Sequence, residues 1–158
     1  MATLSPQKQL DGFIAKYSPD MRKRANAAIK KMRARLPGAV ELVYDNWNWL
    51  VVGYGPNERA SEALFSLVFA TDHVTLCILR NGPRIPDPKK LLKGSGSRVR
   101  HMRLVDGIDI DTPAVNALMR ETERLAGNPI SETASRRLVI KAVSAKQRPR
   151  RPSPKKKR

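Results

Sequence analysis

The residues best suited by type to meet a charged partner stand together near the carboxyl end: Lys146, Arg148, Arg150, Arg151, Lys155, Lys156, Lys157 and Arg158, spaced by Pro149, Pro152 and Pro154. Proline stiffens an extended backbone and spreads the charges along it, the form in which a cationic ribbon lies in a minor groove or along phosphates. If roughly six of these cations meet phosphates, log affinity falls about five units per decade of salt. A second candidate is Gly94-Ser95-Gly96-Ser97-Arg98, whose main-chain N–H groups and cation could cradle an anion. No Gly-Lys-Ser/Thr follows at P-loop spacing, and the strand-turn-helix context of a dinucleotide fingerprint is missing, so a flexible turn is the plainer reading. Asp106, Asp109 and Asp111 lack the spacing and glycine of a calcium loop. Asp109 and Asp111 more simply precede a helix whose positive end attracts acid. His73 and His101 stand alone, outside any His-x-x-x-His spacing. Cys77 falls mid-strand, where a buried thiol behaves as a small hydrophobe and lacks the base and exposure of a nucleophile. No catalytic residue, metal site or cofactor is therefore expected.

The charge is unevenly placed. The chain of 158 residues carries 31 Lys+Arg against 14 Asp+Glu, a net +17. Residues 131–158 hold 11 of the bases and a single acid, Glu132. A basic surface spread evenly would suit general solubility, whereas a concentrated end suggests an arm. Hydrophobic residues at 41% and charged residues at 28% are a globular balance for one domain with a sizeable core. No apolar run is long enough to cross a bilayer, and the start, MATLSPQKQLDGF, lacks the apolar segment of a secretory signal. The single cysteine excludes an internal disulfide and fits a reducing compartment. A cytoplasmic location is expected, with association to a nucleoid as an option.

Three helices must position these groups. Ser5-Pro6, Ser18-Pro19 and Thr112-Pro113 each set a capping hydroxyl before a proline at the first helical position. Apolar residues then recur at helical spacing: Leu10, Phe13, Ile14 and Tyr17; Met21, Ala25, Ala28, Ile29, Met32 and Leu36; and Val115, Leu118, Met119 and Leu125. The second helix also carries Arg22, Lys23, Arg24, Lys30, Lys31, Arg33 and Arg35 with no acid among them. Such a run is usually a solvated face, although it could join Arg84, Lys89, Lys90, Lys93, Arg98, Arg100 and Arg103 in one positive surface. Residues 40–44, 49–54, 63–70, 74–79, 99–105 and 137–143 read as strands. Short connections make the sheet largely antiparallel with helices on one face, an α+β domain over residues 1–143. Trp47 and Trp49 are expected in the packing of helix against sheet. Pro83, Pro86, Pro88 and the glycines after Lys93 describe a surface loop. Residues 144–158 have no large apolar side chain and are expected to form an extended, mobile tail.

The order of these elements, Val40-Glu41 before the first hairpin, Asp87-Pro88-Lys89-Lys90-Leu91-Leu92 and Gly94-Ser95-Gly96 resemble the YdhG-like family (domain of unknown function 1801) over roughly residues 8–130. The resemblance implies a small α+β fold, and some relatives are described as frataxin-like iron chaperones. Frataxin-type iron binding uses a ridge of carboxylates on the first helix and the sheet edge; here the first helix carries Asp11 alone. Separately, Ser153-Pro154-Lys155-Lys156 looks like the repeats of linker-histone tails. Arg148-Pro149-Arg150-Arg151-Pro152 lacks the central glycine of an AT-hook.

The leading expectation is a non-enzymatic binding module whose basic tail associates non-specifically with nucleic acid. Backbone contact is favoured over base stacking, because all eight aromatics fall between Phe13 and Phe69, away from the basic runs. The alternative is a small-ligand or metal carrier with its pocket between the sheet and Gly94–Arg98. The residues are silent on oligomeric state, and no membrane partner is expected.

Overall fold

In the computed structural model, residues 4–105 and 109–152 are described. Asp106 and the cations Lys155, Lys156, Lys157 and Arg158 lie outside them. Helices α1 (Pro6–Ala15) and α2 (Pro19–Arg35) precede β1 (Val40–Asp45), β2 (Leu50–Gly55), β3 (Phe65–Phe69), β4 (Val74–Ile78) and β5 (Arg100–Leu104); α3 (Pro113–Leu125) and β6 (Arg137–Val143) complete the fold. Ser5 and Ser18 cap as expected, their hydroxyls accepting from the N–H groups of Lys8 at 3.2 Å and Met21 at 3.3 Å. Thr112 differs: its hydroxyl donates backward to the Asp109 carbonyl at 2.7 Å instead of capping.

The domain is α+β, with one six-stranded sheet in the order β5-β4-β3-β2-β1-β6. Strands β1 to β5 run as an antiparallel meander, and β6 returns through α3 to pair in parallel with β1. A bulge at Lys141 shifts that last pairing, so Val43 faces Ile140 and Tyr44 faces Ala142. The two-residue strand period sorts the side chains. Val43, Val52, Leu67, Leu76 and Met102 join Leu10, Ile14, Met21, Met32, Val115 and Met119 in the main core. Val40, Leu42 and Ala63 form a small cluster on the other side, where no helix packs. All three helices therefore cover one face. Tyr17 ties α1 to the sheet: its hydroxyl donates to the Phe69 carbonyl at 2.5 Å and accepts from Leu50 N–H at 3.1 Å. Burial raises its pKa, so the phenol stays protonated.

The proline-rich loop between β4 and β5 is held by internal bonds. Both Asp87 carboxylate oxygens accept main-chain N–H bonds, from Leu91 at 2.9 Å and Leu92 at 2.8 Å. Leu91 and Leu92 then pack on the main core, which explains why an acid heads the Pro-Lys-Lys-Leu-Leu run. Lys93 and His101 exchange main-chain bonds of 2.7 and 3.0 Å, fixing the loop along the outer edge of β5.

The mobile tail expected from residue 144 is corrected over the described part. Residues 144–151 turn back across the β1–β2 turn through a series of polar contacts described below. Apolar content misjudges this segment because its anchors are guanidinium groups meeting a buried carboxylate and indole faces.

Gly38, between α2 and β1, is required for close approach: a Cβ there would stand 2.0 Å from the Ser131 carbonyl oxygen, which is main chain and cannot rotate away. Gly38→Ala is expected to lower stability by about 2–3 kcal/mol in urea titrations. Gly96→Ala, in open space, should stay within about 0.5 kcal/mol of wild type. Equal stability of the two variants would show that the approach at Gly38 is not a constraint.

Candidate nucleic-acid interface

From residue 81 to residue 105 the chain carries seven Lys+Arg and one acid, Asp87. Asp87 accepts two main-chain N–H bonds from its own loop, so it does not neutralise these cations by direct pairing. Arg100 and Arg103 lie on β5, and main-chain bonds tie the loop before it in place: the Gly82 N–H bonds the Arg98 carbonyl at 2.8 Å, while Lys93 is bridged to His101. Arg84, Lys89, Lys90, Lys93, Arg98 and Arg103 are all exposed. Among the described residues none of the six forms an ion pair with an acid. Exposed cations outside ion pairs leave much of their field to be met by an external anion, although Asp72 lies within electrostatic reach of Arg103.

The basic side of α2 behaves differently. Arg33 bonds Glu41 through Nε at 3.0 Å to each oxygen, and Lys31 meets Asp109 at 2.6 Å and Asp111 at 3.4 Å. Arg35 reaches Glu123 at 2.6 Å and Asn116 at 3.1 Å. Arg24 donates to the Asp72 carbonyl at 2.8 Å. Three of the seven cations are thus clamps to acids on other elements, with Asp109 and Asp111 serving as partners of Lys31. Lys23 and Lys30 stay exposed and form no ion pair among the described residues.

The expected interface residues of the tail divide sharply. Arg150 is buried, its side chain 2% exposed, with one amino group 2.9 Å from Asp45 Oδ1 and 2.5 Å from the Asn46 carbonyl. In this fold it is an internal anchor rather than an exposed cation, because the carboxylate it meets is itself fully buried. Arg148 lays its guanidinium over both indoles, 5.6 Å from the Trp47 ring and 5.3 Å from the Trp49 ring, and its N–H bonds the Trp47 carbonyl at 2.8 Å. Arg151 donates to the Lys16 carbonyl at 3.2 Å, whereas Lys146 is exposed. Lys16 completes the knot, reaching Asp45 Oδ2 at 2.6 Å and Gln147 at 2.7 Å. Trp47, 54% exposed, and Trp49 are therefore not helix–sheet packing but a platform for the strap. Burial alone would raise the Asp45 pKa; the bonds from Lys16, Gln147 and Arg150 outweigh it and hold the carboxyl below its ordinary value.

The Gly94–Arg98 turn is exposed. It wraps a cation of its own, with Arg100 donating to the Gly96 carbonyl at 2.5 Å and the Val99 carbonyl at 2.8 Å. A groove of about 630 Å³ between α2 and the β4–β5 edge is lined by Arg24, Ala28, Val74 and Leu104 among others, and the glycine turn is not among its walls. Register places Cys77 opposite His101 on the uncovered sheet face, a pairing that no linear spacing reveals. Cys77 is half-buried there rather than fully buried, and burial pushes its thiol up, away from the thiolate that nucleophilic chemistry requires. No three His, Cys, Asp or Glu side chains converge among the described residues. Among them, too, no helix is long and apolar enough to cross a membrane. No family model matches the chain, and no curated protein or solved structure is significantly similar to it.

Arg150→Ala is expected to lower stability by about 3 kcal/mol, since it strips a buried carboxylate of one cation; Lys146→Ala should stay within about 0.5 kcal/mol. Urea unfolding followed by tryptophan emission checks both. The pH dependence has a definite sign. A carboxyl held below its ordinary value contributes stability that is complete above that value, about 3.9, and is lost as pH falls through the lowered one. Strap contacts should persist at pH 5–7 and loosen only below about pH 4, seen as a change in tryptophan emission that Arg148→Ala abolishes.

Proposed function

We propose that this chain is a non-enzymatic module that binds the backbone of nucleic acid without sequence preference, chiefly through the cations around β5 and the loop before it. The observation that carries the reading is a contrast in pairing: Lys31, Arg33 and Arg35 of α2 are taken by acids on other elements, while the six exposed cations of β5 and the loop before it form no ion pair among the described residues. Phosphate is the abundant anion that a spread of unpaired Lys and Arg matches by charge and distribution. Main-chain and long-side-chain contacts of this kind position a duplex and do not read bases. Lys146 and the cations beyond Pro152 add to the net positive charge and are proposed as auxiliary contacts. The likeness to the YdhG-like family is proposed for the fold alone and adds no activity.

Binding to unrelated short duplexes should be similar in strength and steep in salt, measured by fluorescence anisotropy. Replacing Arg84, Lys93, Arg98 and Arg103 together by Ala should weaken all duplexes alike and reduce the slope of log affinity against log salt by about 3.6, at about 0.9 per phosphate. Absence of binding in dilute buffer, or a strong preference for one sequence, would overturn the reading.

A further inference from the structure

The β1–β2 turn is built as a receptor for two guanidinium groups. Its floor is Asp45, fully buried, with Lys16 on one oxygen and Arg150 on the other. Its wall is the main chain of the turn, where the Asn46 and Trp47 carbonyls accept from Arg150 at 2.5 and 3.4 Å. Its rim is the pair of indoles under Arg148. Between the two arginines stands Pro149, which fixes its own φ and biases Arg148 toward extended backbone. Less conformational entropy is lost when such a segment docks.

These are cations that a polyanion would also take. We infer that the strap is a latch in competition with nucleic acid: Asp45 and the two tryptophans hold Arg148 and Arg150, and a polyanion gains them only by drawing the segment off the turn. The inference rests on the nucleic-acid reading above and assigns its regulation. Two states then differ in the number of guanidiniums on offer, and a ligand shifts such an equilibrium only through a difference of this kind. The coupling is reciprocal: a closed strap weakens polyanion binding, and bound polyanion loosens the strap. The neighbouring contacts are drawn into the same transition, since Lys16 binds both Asp45 and Gln147, and Arg151 binds the Lys16 carbonyl.

The full chain carries its own reporter, because both of its tryptophans lie under Arg148. Titrating a short duplex into wild type should move tryptophan emission toward that of free Arg148→Ala. This measurement needs no destabilised variant. Asp45→Asn should bind the duplex about 10-fold more tightly than Asp11→Asn, a charge-matched change at an exposed acid bonded to Gln7, as expected if about one-tenth of wild type is unlatched. Duplex binding with unchanged tryptophan emission, or equal affinity of the two variants, overturns the latch and leaves the nucleic-acid reading standing. No duplex binding by any of the three proteins overturns both.

Discussion

Strand β1 carries two carboxylates on its helix-facing side, Glu41 and Asp45, and both are fully buried. A charge taken out of water at the centre of a fold must be met by cations and hydrogen bonds, or it destabilises the whole. The rest of the architecture supplies them. Glu41 receives Arg33 from α2, Arg136 from just before β6 at 2.8 Å, and the Tyr54 hydroxyl from β2 at 3.0 Å. Asp45 receives Lys16 from beyond the end of α1 and Arg150 from the strap. Each acid thus gathers segments remote in sequence, and together they pin both ends of β6. The parallel edge strand has its own ladder to β1 and is also fastened at Glu41 before it starts and at Asp45 after it ends.

This arrangement divides the excess positive charge into two populations. Lys31, Arg33 and Arg35 of α2 and Arg150 of the strap are used inwardly, against Glu41, Asp45, Asp109, Asp111 and Glu123. Cations around β5 are exposed, and the loop that displays them is held by main-chain bonds and the Asp87 caps. Formal charge alone cannot separate the two. The competition inferred for the strap lies at their border, where one set of guanidiniums has an internal claimant and an external one.

The helices were legible in the sequence because their signals are local. Ser5-Pro6 and Ser18-Pro19 act within one turn, and the apolar stripes follow the helical period. The meander was legible for the same reason, through short turns between apolar runs. What escaped depends on contacts far apart in the chain. Trp47 and Trp49 look like core by residue type, and only the returning strap shows why they can stay near the surface. Arg150 looks like one of several equivalent tail cations until the buried Asp45, 105 residues away, is found beside it. Arg33 and Lys31 look solvated because their acids lie on other elements. Nor does the sequence show that Arg100 turns its guanidinium back onto the Gly96 and Val99 carbonyls.

The long reach of the β1 contacts also bears on the order in which a growing chain matures. Arg136 and Arg150 follow their acids by 95 and 105 residues, so the ribosome releases them long after the hairpin that needs them. Until then the nascent meander holds Glu41 with Arg33 and the Tyr54 hydroxyl and Asp45 with Lys16, and β1 presents an open edge where β6 will dock. An uncovered strand edge is the feature most prone to pair with a neighbouring chain. Synthesis of the last segment therefore closes the interval of greatest risk, and a ribosome stalled before residue 136 would expose a sticky, half-neutralised intermediate.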